Sequence, residues 1–358
     1  MSHERPENEM TENYREDEPG GSTSRHLKMA CDQVSHYAST SRHAALNSAL
    51  EALLSAYPPS EVPVTALAGL DQLHLGGVGG THELLALAKL QKPSSFTPLK
   101  ILEPGAGLGG LARHLVSQSA RNGVQHHVTT LDLSDSLCQV AIALNRATGL
   151  SEHIRVLEGD ACYPELHPAL PGRRFDRVLS QHLLVHLSDK PGVLKQWHDC
   201  LEDDGYLILH EPVLSVQAQA FGERPELPVP WALTTRADQL ATCEELHEAM
   251  ANSGFEVDTH VELTDQVLAW QARRQQHARS SHQSDNAGDP LGSCDAQELS
   301  NAMLAARALT PELIFGPTFA LMQRNIAQAL EAGWLEVHLW RLRKRPAQHA
   351  SGTGRPHL

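Results

Sequence analysis

Beyond Leu99 the chain alternates short apolar runs with longer stretches in which apolar residues return every three or four positions. The runs Leu99–Leu102, His127–Leu131, Ile154–Glu158, Arg177–Ser180 and Tyr206–His210 predict strands. Stretches between them, such as Leu108–Ser119 and Ser136–Thr148, predict helices. Short apolar strands separated by helices imply a parallel sheet covered on both faces, a doubly wound α/β core.

Upstream of that core, Leu46, Leu50, Leu53 and Leu54 recur at helical spacing over Ala44–Tyr57 until Pro58 and Pro59 stop the pattern. Leu84, Leu85, Leu87 and Leu90 predict a second helix over Thr81–Leu90, with Thr81 as its N-cap. Downstream come a proline-rich segment (Pro225–Pro230), a helix over Thr242–Ser253 ended by Gly254, and strands at Phe255–Leu263 and Leu335–Arg343. Between these two strands lies an insertion, expected to be a helical cap. Its centre, 275–295, is rich in Ser, Gln, His, Asn, Asp and Gly and reads as a mobile loop. The expected organisation is a disordered acidic tail (1–27), a helical lid (28–93), a core (94–213), a C-terminal part of the fold carrying the cap (214–345) and a disordered tail (346–358).

Composition narrows the function. In 358 residues, 41% hydrophobic content fills a core, yet no run of eighteen apolar residues exists to form a membrane-spanning helix. The first thirty residues are acidic and polar, without the apolar stretch of a secretory signal, so a cytoplasmic protein is expected. Six cysteines stand singly and read as reduced thiols. A formal charge of −14 with few basic clusters argues against nucleic acid. The 22 histidines show no H-E-x-x-H and no Cys/His ligand spacing, so no metal site is expected.

The chemistry concentrates at Ile101–Gly110 (ILEPGAGLGG), a strand ending in an acid and passing through a glycine turn into a helix. Without Cβ atoms at Gly105, Gly107 and Gly109 the backbone turns sharply and approaches a ligand closely, at a helix N-terminus with free N–H groups. Gly105, Gly107 and Gly110 also satisfy the dinucleotide fingerprint, so the glycines alone do not choose between cofactors. Glu103 matches an ammonium group, which S-adenosylmethionine carries and a pyrophosphate does not. Asp132, ending the second strand, suits a ribose diol in either class. Asp160 and Ala161, after the third strand, offer a carboxylate and a backbone N–H to an adenine edge.

These residues resemble the class I S-adenosylmethionine-dependent methyltransferases over about Val34 to Lys344. Asp71–Gly77, Ser180–His186, Pro228–Trp231 and Arg324-Asn325 are most similar to the branch containing sarcosine/dimethylglycine and phosphoethanolamine methyltransferases. The resemblance implies a Rossmann-like fold, a mostly parallel seven-stranded sheet with an N-terminal helical lid and an inserted cap. It assigns Glu103, Gly105 and Gly107 to the cofactor's methionine end, Asp132 to ribose, Leu133, Asp160 and Ala161 to adenine, and Gln181 to a position beside the cofactor. His186 matches a histidine facing the acceptor, and Tyr37 a tyrosine of the lid. The sequence departs from the branch at His182, where aspartate is common, and at Pro104, where an aliphatic residue is.

The function expected is methyl transfer to a small soluble acceptor, most readily an amine nitrogen, with His186 taking the acceptor's proton. Oxygen or carbon acceptors, a non-catalytic binder of the cofactor and a nicotinamide-dependent oxidoreductase are the alternatives. His182 and His186, four apart, would share one helical face, but sulfonium methyl transfer needs no metal and no third ligand is spaced beside them. Trp231 is a candidate wall of the acceptor pocket.

Overall fold

The computed structural model describes residues 40–91, 97–273 and 294–345, with side chains at 40–43 and 294–300 left aside. Its centre is a seven-stranded sheet: β1 (Lys100–Pro104), β2 (His127–Asp132), β3 (Ile154–Glu158), β4 (Phe175–Gln181), β5 (Leu201–Leu214), β6 (Phe255–Glu262) and β7 (Leu335–Lys344). The order is β3-β2-β1-β4-β5-β7-β6. Strands β1 to β5 pair in parallel, and β7 lies antiparallel between β5 and β6. The expected doubly wound, mostly parallel seven-stranded sheet is therefore the fold observed. β5 outruns its predicted end at His210 because β7 pairs with it as far as Leu214, straight through Glu211 and Pro212.

The helices used below are α1 (Thr40–Ser55), α2 (Gly77–Leu87), α3 (Gly110–Arg121), α4 (Asp135–Ala147), α5 (Lys190–Cys200), α6 (Cys243–Asn252), α7 (Cys294–Arg307) and α8 (Phe319–Glu331). Local signals start several of them. The Ser134 hydroxyl accepts the Leu137 N–H at the head of α4, and Asp189 accepts the Gly192 N–H at the head of α5. Thr242 and Glu245 close a full capping box on α6.

One expected cap is corrected. Thr81 does not begin α2: the helix starts at Gly77, after Gly76 at φ 85°, and Thr81 is buried inside it, donating to Gln72 Oε1 at 2.5 Å. Gly79 and Gly80 sit in the first turn because other groups press there. A Cβ on Gly79 would meet the Trp270 ring at 2.6 Å, and one on Gly80 would meet His210 Cε1 at 2.8 Å.

Two apolar layers cover the sheet. On one face α2, α3 and α8 bury Leu84, Leu111, Leu115 and Ile326 against Ile101, Leu179 and Ile208. On the other, α5 and α6 bury Leu194, Trp197, Leu246 and Met250 against Leu102, Val178, Leu209 and Trp340. A third cluster forms a roof: Leu46, Leu50 and Leu53 of α1 pack with Leu309, Ile314, Phe315 and Met322 from the segment ahead of β7. α1 and the segment ahead of β7 thus share one core. The tails, Tyr37 and the expected 275–295 loop lie outside the described residues, except that Cys294 and Asp295, assigned to the loop, begin α7 instead. Among the described residues no helix is long and apolar enough to cross a membrane, and Cys138, Cys162, Cys200 and Cys243 are free thiols.

Candidate cofactor and acceptor site

The glycine turn crosses the carboxyl end of β2, where the Gly105 and Ala106 N–H groups both donate to the Leu131 carbonyl, at 2.7 and 3.3 Å. Gly105 and Gly107 adopt φ 68° and 53°, left-handed values that a side chain resists. A Cβ on Gly105 would lie 2.7 Å from Leu183 Cδ1, whereas one on Gly107 would meet nothing within 4 Å. The second glycine faces open space. Asp132 clamps the turn from β2: its Oδ2 accepts the Gly107 N–H at 2.7 Å and its Oδ1 the Ser134 N–H at 3.0 Å. Burial pushes its carboxyl above the usual range.

That space is a cavity of about 230 Å³ at the carboxyl ends of the parallel strands, where ligands of open α/β sheets bind. Glu103, Gly105, Gly107, Asp132, Leu133, Asp160, Ala161, Gln181 and His186 all line it. The structure therefore brings together every described residue to which the sequence gave a cofactor-binding or catalytic role. Asp160 accepts the Cys162 N–H at 2.8 Å, and the Ala161 carbonyl accepts the Trp197 indole N–H at 2.8 Å, fixing the loop after β3 to α5. Gln181 Nε2 lies 3.2 Å from His210 Nδ1. Trp231, also in the lining, donates its indole N–H to Asp238.

Glu103 is the site's most informative group. It is buried, and its Oε2 has no hydrogen-bond partner. Burial pushes its pKa up to about 8 against the pull of Arg113. A buried acid with a free oxygen in a cavity fits an incoming cation, such as the ammonium of an amino acid. With the open face of Gly107 and the acid ending β2, the residues present fit S-adenosylmethionine.

His182 and His186 do not share a helical face. His182 sits in a bend at φ 53°, its N–H bonded to the His210 carbonyl, and only one 3₁₀ turn, Leu184–His186, follows. Its ring instead packs beside His210 and His74, with centroids 5.0 and 5.8 Å away. Burial and mutual repulsion hold His182 well below the usual imidazole range, and burial lowers His74 to about 4. Sequence reasoning gave His74 and His210 no role. His210 carries a readable signal, its place at the end of the apolar run Tyr206–His210; His74 carries only its motif.

Beneath the turn Arg113 donates to Asp71 Oδ2 at 2.7 Å and to Asn145 Oδ1 at 3.0 Å, with Arg113 and Asp71 side chains both 0% exposed. A second buried acid, Glu211, accepts the Leu183 and Leu184 N–H groups at 3.0 and 3.1 Å, and burial pushes it up to about 8. It thereby ties the loop carrying His182 and His186 to β5.

Glu103 and Glu211 ionise near 4.5 when unfolded and near 8 when folded. The unfolded chain therefore releases protons first, and stability falls as pH rises between those values. The substitution Glu211→Gln keeps an oxygen for both N–H donors and removes the titration. Between pH 6 and 8 the ligand-free Glu211→Gln variant is expected to lose about 2 kcal/mol less unfolding free energy than the parent. Urea titrations at the two pH values measure it, and equal losses in both proteins would refute it.

Comparison with known proteins agrees with this geometry. A profile of the family described as "Methyltransferase domain" matches residues 80–260. The chain is 25% identical over 193 residues to phosphoethanolamine N-methyltransferase of Triticum aestivum, covering 54% of this chain and 34% of the wheat protein. It is 32% identical over 123 residues to glycine/sarcosine/dimethylglycine N-methyltransferase of Actinopolyspora halophila, covering 34% of this chain and 20% of that one. The chain thus matches about a third or less of these curated relatives. A cyclopropane synthase of Mycobacterium tuberculosis shares the fold, with a TM-score of 0.52 at 16% identity over 89% of this chain and 98% of that one. With just over half its length matched by the profile, and an acid, a glycine turn and a second acid converging on one cavity, the chain belongs to the methyltransferase domain family of S-adenosylmethionine-dependent enzymes.

Proposed function

We propose that this chain methylates the nitrogen of a small soluble amine. The observation that carries the reading is the unpartnered, buried Glu103 oxygen in the same cavity as the Gly105–Gly107 turn, Asp132 and His186. Bound S-adenosylmethionine supplies an electrophilic methyl group on a sulfonium sulfur.

In this reading Glu103 pairs with the cofactor's ammonium, and Gly105 and Gly107 let the backbone approach its amino-acid end. Asp132 accepts from the ribose hydroxyls, Leu133 packs on the adenine, Asp160 and Ala161 meet the adenine edge, and Gln181 stands beside the cofactor. The acceptor lies toward His186, His182, His74 and Trp231. An ammonium has no lone pair to donate, so His186 takes the acceptor's proton. Holding two reacting groups in line is worth about 7 kcal/mol or more in well-oriented systems, and the cavity at the strand ends serves that end. Other acids in the lining, Asp132, Asp160 and Asp189, favour a neutral or cationic acceptor over an anionic one. The amine acceptors named for the wheat and Actinopolyspora relatives support nitrogen over oxygen or carbon.

Two measurements test this. S-adenosylhomocysteine at a hundredfold excess over its dissociation constant is expected to raise the unfolding midpoint by about 5 °C, while NADH leaves it unchanged. Asp132→Asn should abolish that rise, because an amide NH₂ would face either the Gly107 or the Ser134 N–H where a carboxylate oxygen now accepts. A rise with NADH alone would overturn the cofactor assignment. Second, with labelled S-adenosylmethionine and a panel including sarcosine, dimethylglycine and ethanolamine, His186→Ala should lower turnover about a hundredfold with S-adenosylhomocysteine affinity unchanged. Equal losses in turnover and affinity would remove His186 from the proton's path, and label appearing only on oxygen or carbon would replace the amine.

A further inference from the structure

Away from the cofactor cavity, on the sheet face covered by α5 and α6, three side chains from a helix and a strand turn their soft donor atoms toward one point. Cys243 Sγ lies 3.8 Å from His247 Nε2 and 3.9 Å from His260 Nε2. All three donor atoms fall within 4.8 Å of one another. Cys243 and His247 stand four apart at the start of α6, so they share one helical face, and His260 reaches them from the edge strand β6. None of them lines the cofactor cavity.

The two sulfur–nitrogen distances are close to those of a tetrahedral metal centre. Zinc bonds sulfur at about 2.3 Å and imidazole nitrogen at about 2.0–2.1 Å, which sets the sulfur–nitrogen edge of the tetrahedron at about 3.6 Å. The two observed edges exceed this by a few tenths of an ångström. A fourth donor is near. His338 Nδ1, on β7, lies 2.8 Å from His260 Nε2. Its other nitrogen, Nε2, lies 3.0 Å from a Glu336 carboxylate oxygen, which can only accept. The Nε2–H is therefore directed to Glu336, and the lone pair of Nδ1 is left facing His260. A carboxylate that orients a histidine in this way is the usual outer partner of a metal-ligating imidazole. His260 is also held flat, its ring stacked on Trp340 at 5.0 Å and lying edge to edge with His338, whose ring centroid is 5.0 Å away. Carboxylates of Glu262 and Glu336 place negative charge around the thiol.

We propose that Cys243, His247 and His260, with His338 as the fourth donor, form a structural site for a zinc-class divalent ion that ties α6 to the β6–β7 edge of the sheet. Soft thiolate with imidazole selects zinc and its cobalt substitute over magnesium or calcium. Binding is balanced in protons. The Cys243 thiol releases one proton to solvent and ligates as thiolate. The proton now on His260 Nε2, which faces His338, moves to His260 Nδ1, freeing Nε2 for the metal. The Trp340 indole N–H, now 2.9 Å from His247 Nε2, gives up that acceptor to the ion. The sequence hid this site because its donors come from one helix and two strands, and only the Cys243–His247 spacing is local.

The test uses the full chain, stripped of metal under reducing conditions and titrated with cobalt(II) and separately with zinc(II). One equivalent of cobalt is expected to produce a thiolate-to-metal charge-transfer band and the visible absorption of a tetrahedral ion. Zinc is expected to raise the unfolding midpoint by about 5 °C at a hundredfold excess over its dissociation constant. Cys243→Ser should lose the charge-transfer band. His260→Asn, a change at an exposed position, should weaken cobalt binding at least tenfold while keeping the stabilisation by S-adenosylhomocysteine. That second variant keeps the test decisive if Cys243→Ser does not fold. Cobalt bound without a sulfur band, or a band that survives in both variants, would place the metal on other histidines or cysteines and overturn the site.

Discussion

The affinity for S-adenosylhomocysteine is expected to rise about tenfold from pH 6 to pH 7 and to level off above about pH 8. The cause is Glu103, whose carboxyl stays protonated up to about 8 in the folded, ligand-free chain because burial penalises its charge. An ammonium docking on its unpartnered oxygen restores the charge, so binding is coupled to loss of one proton from the protein. Below the free pKa each pH unit then changes the binding constant about tenfold, the ordinary slope for one coupled proton. Calorimetry in two buffers of different ionisation enthalpy reads that proton directly. Glu103→Gln is expected to flatten the pH dependence and to weaken binding about a hundredfold at pH 8, where the parent acid is charged and forms a charge-assisted hydrogen bond that an amide cannot replace. A parent affinity that does not vary between pH 6 and 8 would show that Glu103 does not face the ligand's charge.

Arg113→Met is expected to destabilise the protein by about 3–5 kcal/mol. Its guanidinium is fully enclosed, bonded to Asp71 and Asn145, and removing it leaves the Asp71 carboxylate buried without its counter-ion. The effect reaches the site, because Arg113 also draws the pKa of Glu103 downward and its chain lies against Gly109. Replacing both partners, Asp71→Asn with Arg113→Met, is expected to recover much of the loss, since no unpaired charge then remains inside. Urea unfolding of the two variants measures this, and a single variant within 1 kcal/mol of the parent would show that the pair contributes little.

What could be read from the residues was local. Each core strand is an apolar run, and the acid, glycines and second acid of the cofactor site occupy the ends of consecutive strands, so spacing alone brings Glu103, Gly105, Gly107, Asp132 and Asp160 to one edge of the sheet. Contacts made at long range were not legible. The helix expected to begin at Thr81 begins at Gly77 instead, where Gly79 and Gly80 admit the Trp270 and His210 rings against the first turn of α2. The packing of His182 on His74 and His210 joins three separate elements, and a left-handed backbone at a histidine gives no sequence signal. The shared core of α1 and the segment before β7 was equally hidden, because each half looks like an ordinary amphipathic helix until the other is beside it.

The position of β7 has a consequence for how the chain is made. It pairs with β5 on one side and β6 on the other, yet it is the last strand among the described residues. During synthesis β5 and β6 emerge first, each with an open backbone edge, and the sheet closes only when the final strand slides between them. A nascent or prematurely terminated chain lacking residues 335–344 therefore displays two sticky edges at once, and is the species on which aggregation and chaperone capture should concentrate.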